Sequence, residues 1–512
     1  MNFRLLTSVA LAAVVGLYGC GDDSGTGGSA GDGGSGGSGG TGAVGGVGSG
    51  GSGGGVAPKG CDDIPDTTSN IEPNPPETTS DDCDETVTAT GEDDQAQILM
   101  AILTVGANGV VCLEAGDYDM GGTVDITTTP GLTLKGIGAT PDDVVLDYAD
   151  DEGTCRGAQG INVTVDNVTI ENMWVKNSCE NAVVQRNVDG SVFRKVRVSW
   201  DGVPRTENGA YGIYPTDCSN TVVEYCQTQG ASDAGVYIGK CDGGIVENNV
   251  VYENVAGLEV ENCLNVDASA NEIFDNTGGL LALQQDISSE MQTNSDNRLF
   301  DNEVYCNNRE NFAQPGSAVS GIPVGTGGLS FGGNGIEFFG NQFTDNEAFA
   351  LGLAANVLTC QVATSDCPPY SDGYDPYVQN VYIHDNEYSN NGNNPTGDFG
   401  DRFNQWGFGG DGYPPVPNTV WDGYQPLACD EGSDNAGDPC FSNDQCPNGA
   451  CATASTGPND AGICLGTDQA AASDILVIGD ACANLSLNLL EYVGCAKENS
   501  STDQAPYLCV PN

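Results

Sequence analysis

A spacing of 22 residues constrains this chain more than any other feature it carries. The segment AGVYIGKCDGGIVENN begins at Ala234, AGLEVENCLNVDASAN at Ala256 and GGLLALQQ at Gly278, each start 22 residues after the last. A second marker keeps the same phase, an Asn-x4-Asn pair at Asn172/Asn177, Asn249/Asn254, Asn271/Asn276, Asn302/Asn307, Asn341/Asn346 and Asn386/Asn391. Between markers, apolar residues alternate over short runs rich in Val and Ile, the pattern of strands. A unit this short cannot enclose a core alone and must stack on its neighbours. Three short strands and three turns use up about 22 residues, so each repeat is predicted to be one coil of an all-β parallel β-helix. Asparagine recurs because it tolerates left-handed backbone and its amide can bond to the equivalent residue one coil on, forming a ladder. Gly257, Gly279 and Gly328 then mark tight turns.

The ends and interruptions of the repeat follow from the same logic. EDDQAQILMAILTV places acids before helix-forming apolar residues, so a short helix is expected at 93–105. With GVVCLEAGDYDM after it, this segment resembles the N-terminal cap of a β-helix, which shields the first coil's apolar interior and open edge. Two stretches break the period, 285–297 and the cysteine-bearing 359–379, and are read as loops walling a groove. The body is assigned to 59–428. Residues 429–512 form a Cys-rich segment too poor in apolar residues to bury a core of its own, followed by a stretch, DILVIGDACANLSLNLLEYVGCA, suited to cap the far end.

The first twenty residues, MNFRLLTSVALAAVVGLYGC, have one base, Arg4, and an apolar run too short for a membrane span, so 1–20 is read as a secretory signal. Its end, Leu17-Tyr18-Gly19-Cys20, resembles a lipobox in which Cys20 is lipidated. The Gly- and Ser-rich residues 21–58 make a tether with a reach of roughly 30–35 Å. The expectation is an exported protein held on a Gram-negative outer membrane through its lipid alone, facing periplasm or exterior. Of 21 cysteines, twelve between Cys61 and Cys367 and eight between Cys429 and Cys509 are even sets, expected to close disulfides within each region. Cys218, Cys241 and Cys263 should stack in one column, as disulfide or buried thiol. A net charge of −57 excludes nucleic acid as a partner and makes calcium a candidate cofactor, although no calcium-loop motif is present and no metal ligand is assigned. The single histidine, His384, is read as structural.

Residues 91–428 resemble the bacterial right-handed parallel β-helix repeat proteins of the pectin-lyase-like fold, and ENGAYGIYPTDCSN, with WDG before it and GASDAGVYIG after it, resembles the characteristic segment of a lipoprotein subgroup. The run Tyr211-Gly212-Ile213-Tyr214-Pro215-Thr216-Asp217 is also similar to the Y-G-F-D-P-H motif of mannuronan epimerases, with Tyr214 in place of its Asp and Thr216 in place of its His. The resemblance implies polysaccharide lyases, epimerases and glycoside hydrolases, and equally non-enzymatic adhesins. Residues 156–240 hold eight of the chain's fifteen bases against nine acids, a nearly neutral band on an acidic body. Coil alignment puts Tyr214, Tyr237 and Glu259 in one outward row. The candidate catalytic residues are Arg205, Tyr211, Asp217 and Asp233, with Arg205 and Lys240 neutralising a uronate and Tyr211, Asp217 or Asp233 moving protons. Trp200, Tyr214, Tyr237, Lys240 and Glu259 are the candidate binding residues. The competing reading makes Tyr214 and Tyr237 a structural column and Asp233 a turn cap. The expected function is binding a uronate-containing glycan, with lyase- or epimerase-like chemistry; the alternative is a non-catalytic structural, adhesion or glycan-binding surface protein.

Overall fold

A computed structural model describes residues 58–65, 82–286, 293–356 and 374–421 except 407 and 411, and beyond these four short strands, Leu427–Cys429, Cys451–Thr453, Cys464–Leu465 and Ile475–Val477. The expected signal, Cys20, the tether, the centres of the two predicted loops and most of the Cys-rich segment lie outside the described residues. Where it is described, the chain winds as the expected right-handed parallel β-helix. Each coil lays one strand on each of three sheets, and every pairing between coils is parallel. On the first sheet, Tyr211–Glu224, Ala234–Glu247, Ala256–Glu261, Gly278–Leu283, Thr326–Phe331 and Phe349–Ala354 stack in order. The second halves of the two longest strands bend onto the second sheet, and short strands such as Val250–Tyr252 and Glu272–Phe274 form the third.

Register explains why the repeat folds this way. Ile213, Val236, Leu258 and Leu280 pair one above the other and point inward into one continuous core. Burying each is worth about 1.5–3 kcal/mol, and no coil gains this without the next. The two asparagine ladders form in the turns flanking the third sheet. Asn249, Asn271, Asn302 and Asn341 each pass an amide hydrogen to the next at 2.9 Å, ending on Asn386. Asn254, Asn276, Asn307 and Asn346 do the same at 3.0–3.1 Å, ending on Asn391.

The ladder departs from expectation in two ways. Left-handed backbone falls not on the ladder asparagines but on the residue before each, Asn248, Glu253, Ala270, Asp275, Asp301, Cys306, Gly340, Asp345, Asp385 and Asn390. That residue turns the corner, which frees the asparagine to aim its amide along the solenoid axis. Asn172 and Asn177 are themselves left-handed and stand outside the ladders. Asn172 donates to the Gly136 and Gly138 carbonyls, and Asn177 to Asp147 and Asp201.

The capping helix is present as Gln95–Val105, two residues shorter than expected, with Ile98, Ala101 and Ile102 buried on the first coil. Asp94 does not cap it directly. Its carboxylate instead collects Thr90, Gly91 and Asp119 amides and is held below the ordinary range by those hydrogen bonds, which outweigh its burial. At the other end Ile475–Val477 pairs with Thr419–Trp421 and extends the first sheet.

Residues 58–65 do not lead straight into the cap. They dock on the flank of the solenoid, where Cys61 bonds to Cys306, Lys59 bridges Glu272 and Glu303 at 2.8 Å each, and Ile64 packs by the stacked rings of Tyr252, Phe274 and Tyr305. The Cys61–Cys306 bond spans 245 residues of sequence. Replacing both cysteines by alanine is expected to lower stability by about 2–4 kcal/mol, read as a fall in the guanidinium midpoint; an unmoved midpoint would show that the docked segment contributes nothing.

Cys83–Cys112, Cys155–Cys179 and Cys218–Cys241 are the other disulfides among the described residues. The expectation that the even set of the body closes into disulfides fails for Cys226, a buried free thiol, while Cys263 takes the buried-thiol form, one of the two expected for its column. Cys263 does continue the column, its sulfur 3.3 Å from the Cys241 amide nitrogen, but two sulfurs already bonded leave the third unpaired. Burial pushes both thiols up to about 12.

Candidate functional site

The outer face of the first sheet changes character along the solenoid. From Gly278 onward its outward rows are apolar, Leu281 and Leu329 in one, Leu283 and Phe331 in the next. These are covered by a strap, residues 308–325, that sets Val319 and Ile322 into the same apolar cluster. Farther on, the helix Gly397–Trp406 packs Phe399 and Phe403 around Phe349 and Val420. Neither cover was anticipated from sequence. The signal for the strap lies in the marker itself: Asn302 and Asn341 pair although they are 39 residues apart, not 22.

At the edge of the strap the outward rows turn polar and aromatic, and most of the predicted residues meet there. Tyr211 and Tyr214 stack with ring centroids 4.3 Å apart and planes 8° apart, and Tyr237 lies against both at 5.1 and 4.8 Å. Tyr237 and Glu259 occupy one register row, as expected. Tyr211 and Tyr214 are half-buried, and the Arg186 guanidinium lies 5.5 Å from the Tyr214 ring centre, a cation over an aromatic face. Gly239 is required here because a Cβ at this position would meet the Tyr237 ring at 2.2 Å. The ring crosses Gly239 so that its hydroxyl can donate to Glu261 Oε1 at 3.1 Å.

Glu261 was not singled out from sequence, and it is the hub of the site. Gln285 Nε2 donates to its other oxygen at 2.7 Å, and its carboxyl shares a hydrogen bond with Glu259, which requires one of the pair to be protonated. Glu259 is only 2% exposed and its Oε2 has no partner. Burial first, then the charges of Glu261 and Asp233, push Glu259 well above the carboxylate range; burial also raises Glu261, against the hydrogen bonds it receives and the charge of Lys240. Asp233, half-buried on the preceding coil, is raised to about 7 by burial and by Glu261, with the Tyr211 hydroxyl bond opposing. Burial lifts the Tyr211 and Tyr237 phenols well above 10 and Tyr214 to about 12, so these phenols donate protons rather than accept them. The set is thus one of acids held above their ordinary range, Asp233 at about 7, beside a tyrosine platform.

Other predicted residues sit elsewhere. Trp200 is 8% exposed, packs in the interior and donates through Nε1 to the Ser178 carbonyl at 2.7 Å, so it supports the loop 201–208 and offers no face to a ligand. Arg205 is exposed in that loop and none of its described contacts reaches the tyrosines or the carboxyls. Asp217 is exposed, left-handed, and pairs with Lys240 at 3.6 Å, at the border of the site. Much of the base-rich band is used on other faces, Arg194 with Glu224, Arg197 with Asp142 and Lys176 with Asp201. Only Arg186 and Lys240 approach the tyrosines and carboxyls. His384 stacks on Phe339 and bonds Glu337 and Asp385, a structural position. Among the described residues no group of three or more His, Cys, Asp or Glu is arranged to hold a metal ion. None of the described helices is long and apolar enough to cross a membrane.

The winding and the sheets define a right-handed parallel β-helix protein. Residues 153–295, which include the tyrosines and all three carboxyls, match the family model described as a right handed beta helix region. No curated protein matches the chain in sequence. Among solved structures, it is similar to the A-module of a mannuronan C-5 epimerase from Azotobacter vinelandii, 16% identical with a TM-score of 0.44 over 66% of this chain and 94% of that one. It is also similar to the catalytic unit of a thermostable alpha-1,3-glucanase from Streptomyces thermodiastaticus, at 16% identity and a TM-score of 0.38 over 66% and 50% of the two chains. An exopolygalacturonase from Thermotoga maritima matches at 12% identity and a TM-score of 0.36, over 60% and 87%. No residue role is carried over from any of them.

Proposed function

We propose that the protein is an exported, lipid-anchored β-helix that binds polysaccharide on the tyrosine-lined part of its first sheet and exchanges protons with the bound glycan. One observation carries this reading: half-exposed stacked tyrosines lie beside carboxyl groups that burial holds above their ordinary range, Asp233 at about 7. Aromatic rings offer apolar faces to the C–H surface of a sugar, and a carboxyl poised near pH 7 is suited to general acid–base work. In a lyase- or epimerase-like step on a uronate, ionised Asp233 is the base and Tyr211 the donor, with Arg186 and Lys240 as the available cations in place of Arg205. Anchoring rests on residues 1–58, with Cys20 lipidated at the outer membrane and the tether holding the solenoid off the surface.

The test is proton NMR of uronate and neutral polysaccharides, with calcium present, before and after incubation with the protein. New unsaturated, reducing-end or inverted-sugar signals are expected, and they should vanish in Tyr211→Phe while binding persists. Undiminished turnover in that variant would remove Tyr211 from the chemistry. A non-catalytic glycan-binding protein is the second reading. It is favoured by Thr216, which stands where the epimerase motif has His and is 3% exposed, too buried to meet a substrate. Unchanged sugar signals with retained binding would select it.

A further inference from the structure

Loop 201–208 and the strap 308–325 face one another across an open cleft of about 510 Å³, within the roughly 300–1,000 Å³ of small-ligand sites. Val203, Pro204 and Thr206 form one wall, and Arg309, Glu310 and Phe312 the other. The walls are fixed relative to each other, because Gln314 of the strap donates to the Thr206 carbonyl. Each wall is also fixed to the body. Trp200 and Asn208 pin the two ends of the loop, through Ser178 and Gly230. Arg309 pins the strap, with Glu253 at 2.7 Å and Asp275 at 2.6 Å.

Two features point to a ligand. Val203 is 78% exposed at the mouth of the cleft, an apolar side chain on an otherwise strongly acidic surface. Phe312 lines the cleft and also packs on the apolar cluster against which Tyr211 and Tyr214 lie, so cleft and tyrosine platform border the same cluster. The charges narrow the ligand class. The cleft's lining cation, Arg309, is already bonded to two carboxylates, while Glu310 is exposed and leaves its oxygens to solvent. Among the residues that line the cleft an anionic unit would find acceptors and no spare cation, since Arg205 of the same loop is not part of the lining. A neutral sugar finds apolar walls for its C–H face and a carboxylate for its hydroxyls.

We propose that this cleft is a second binding subsite that takes a neutral sugar unit of the glycan lying on the tyrosine platform. The inference rests on the polysaccharide reading of that platform. The test is titration calorimetry of the full chain with neutral manno-, cello- and laminari-oligosaccharides from disaccharide to hexasaccharide, for wild type, Val203→Asp and Tyr214→Ala. Wild type should bind a hexasaccharide more tightly than a disaccharide of the same series. Val203→Asp, at an exposed position that does not threaten folding, should remove that gain, about tenfold in Kd, and leave the disaccharide unchanged. Tyr214→Ala should weaken both. Val203→Asp with the wild-type length dependence would overturn the subsite and leave the platform standing, whereas unaltered binding by Tyr214→Ala would overturn the platform itself. No binding of any neutral series to wild type, with uronate oligosaccharides still bound, would overturn the subsite alone.

Discussion

Asn276→Ala is expected to lower the stability of the solenoid by about 3–4 kcal/mol, the upper range for a single substitution. The side chain makes five hydrogen bonds in a dry interior. Its amide donates to the Val251 and Phe274 carbonyls and to Asn307 Oδ1, and its oxygen accepts the backbone and side-chain N–H groups of Asn254. Alanine leaves groups of neighbouring coils buried and unpaired, and water has no path to replace them. Asn391, with no further asparagine bonded beyond it among the described residues, donates to Phe343 and accepts only from Asn346. Asn391→Ala should therefore cost about half as much. Guanidinium unfolding of the two variants checks this, and equal losses would show that the ladder does not act as a connected network.

The carboxyl cluster makes stability fall as pH rises, opposite to the usual behaviour of buried acids in salt bridges. Asp233, Glu259 and Glu261 all have folded-state values above those of the unfolded chain. The folded protein then holds more protons than the unfolded one between about pH 4 and 7, so unfolding releases protons and is favoured by raising the pH. Below pH 4 both states are protonated and the stabilising contribution is complete. Above about pH 7 Asp233 has ionised in the fold and its share is lost. Glu259→Gln keeps the shape and removes the most deeply buried ionisable group. It should raise stability at pH 8 by about 2 kcal/mol while changing it little at pH 4.5. Melting temperatures of wild type and variant at the two pH values measure the difference; a gain of equal size at both would mean that proton linkage is not its cause.

The solenoid was legible because one physical need, stacking equivalent residues on consecutive coils, writes the same spacing many times. Val236 over Leu258 over Leu280 is such a statement, and so is each asparagine pair. What occurs once was harder to read. The strap brings Val319 and Ile322 onto Leu281 and Leu329, but in sequence it is only a stretch of ordinary composition between two markers. Glu259, placed in an outward row, is nonetheless buried, since alternation gives the face of a sheet and not what lies over it. Glu261 was available by the same alternation, two residues beyond Glu259 on a strand otherwise free of acids. Residue type and proximity in sequence point to Trp200 and Arg205, but the turn between them sends one into the core and leaves the other in solvent. Cysteine parity did not make Cys263 a bridge because a column of sulfurs on successive coils joins in pairs and leaves a remainder, and Cys226 lies outside that column against the Phe193 and Glu224 carbonyls.

The Cys61–Cys306 bond also decides how a pull on the N-terminal segment would travel through the molecule. Tension applied upstream of Lys59 crosses the disulfide at Cys61 and enters the wall beside Tyr305, so the covalent route omits residues 62–305. The capping helix, the early coils and the tyrosine platform all lie off that route. Such a load would shear the solenoid in its middle, where two asparagine ladders run alongside, and would not peel it open coil by coil from its capped end.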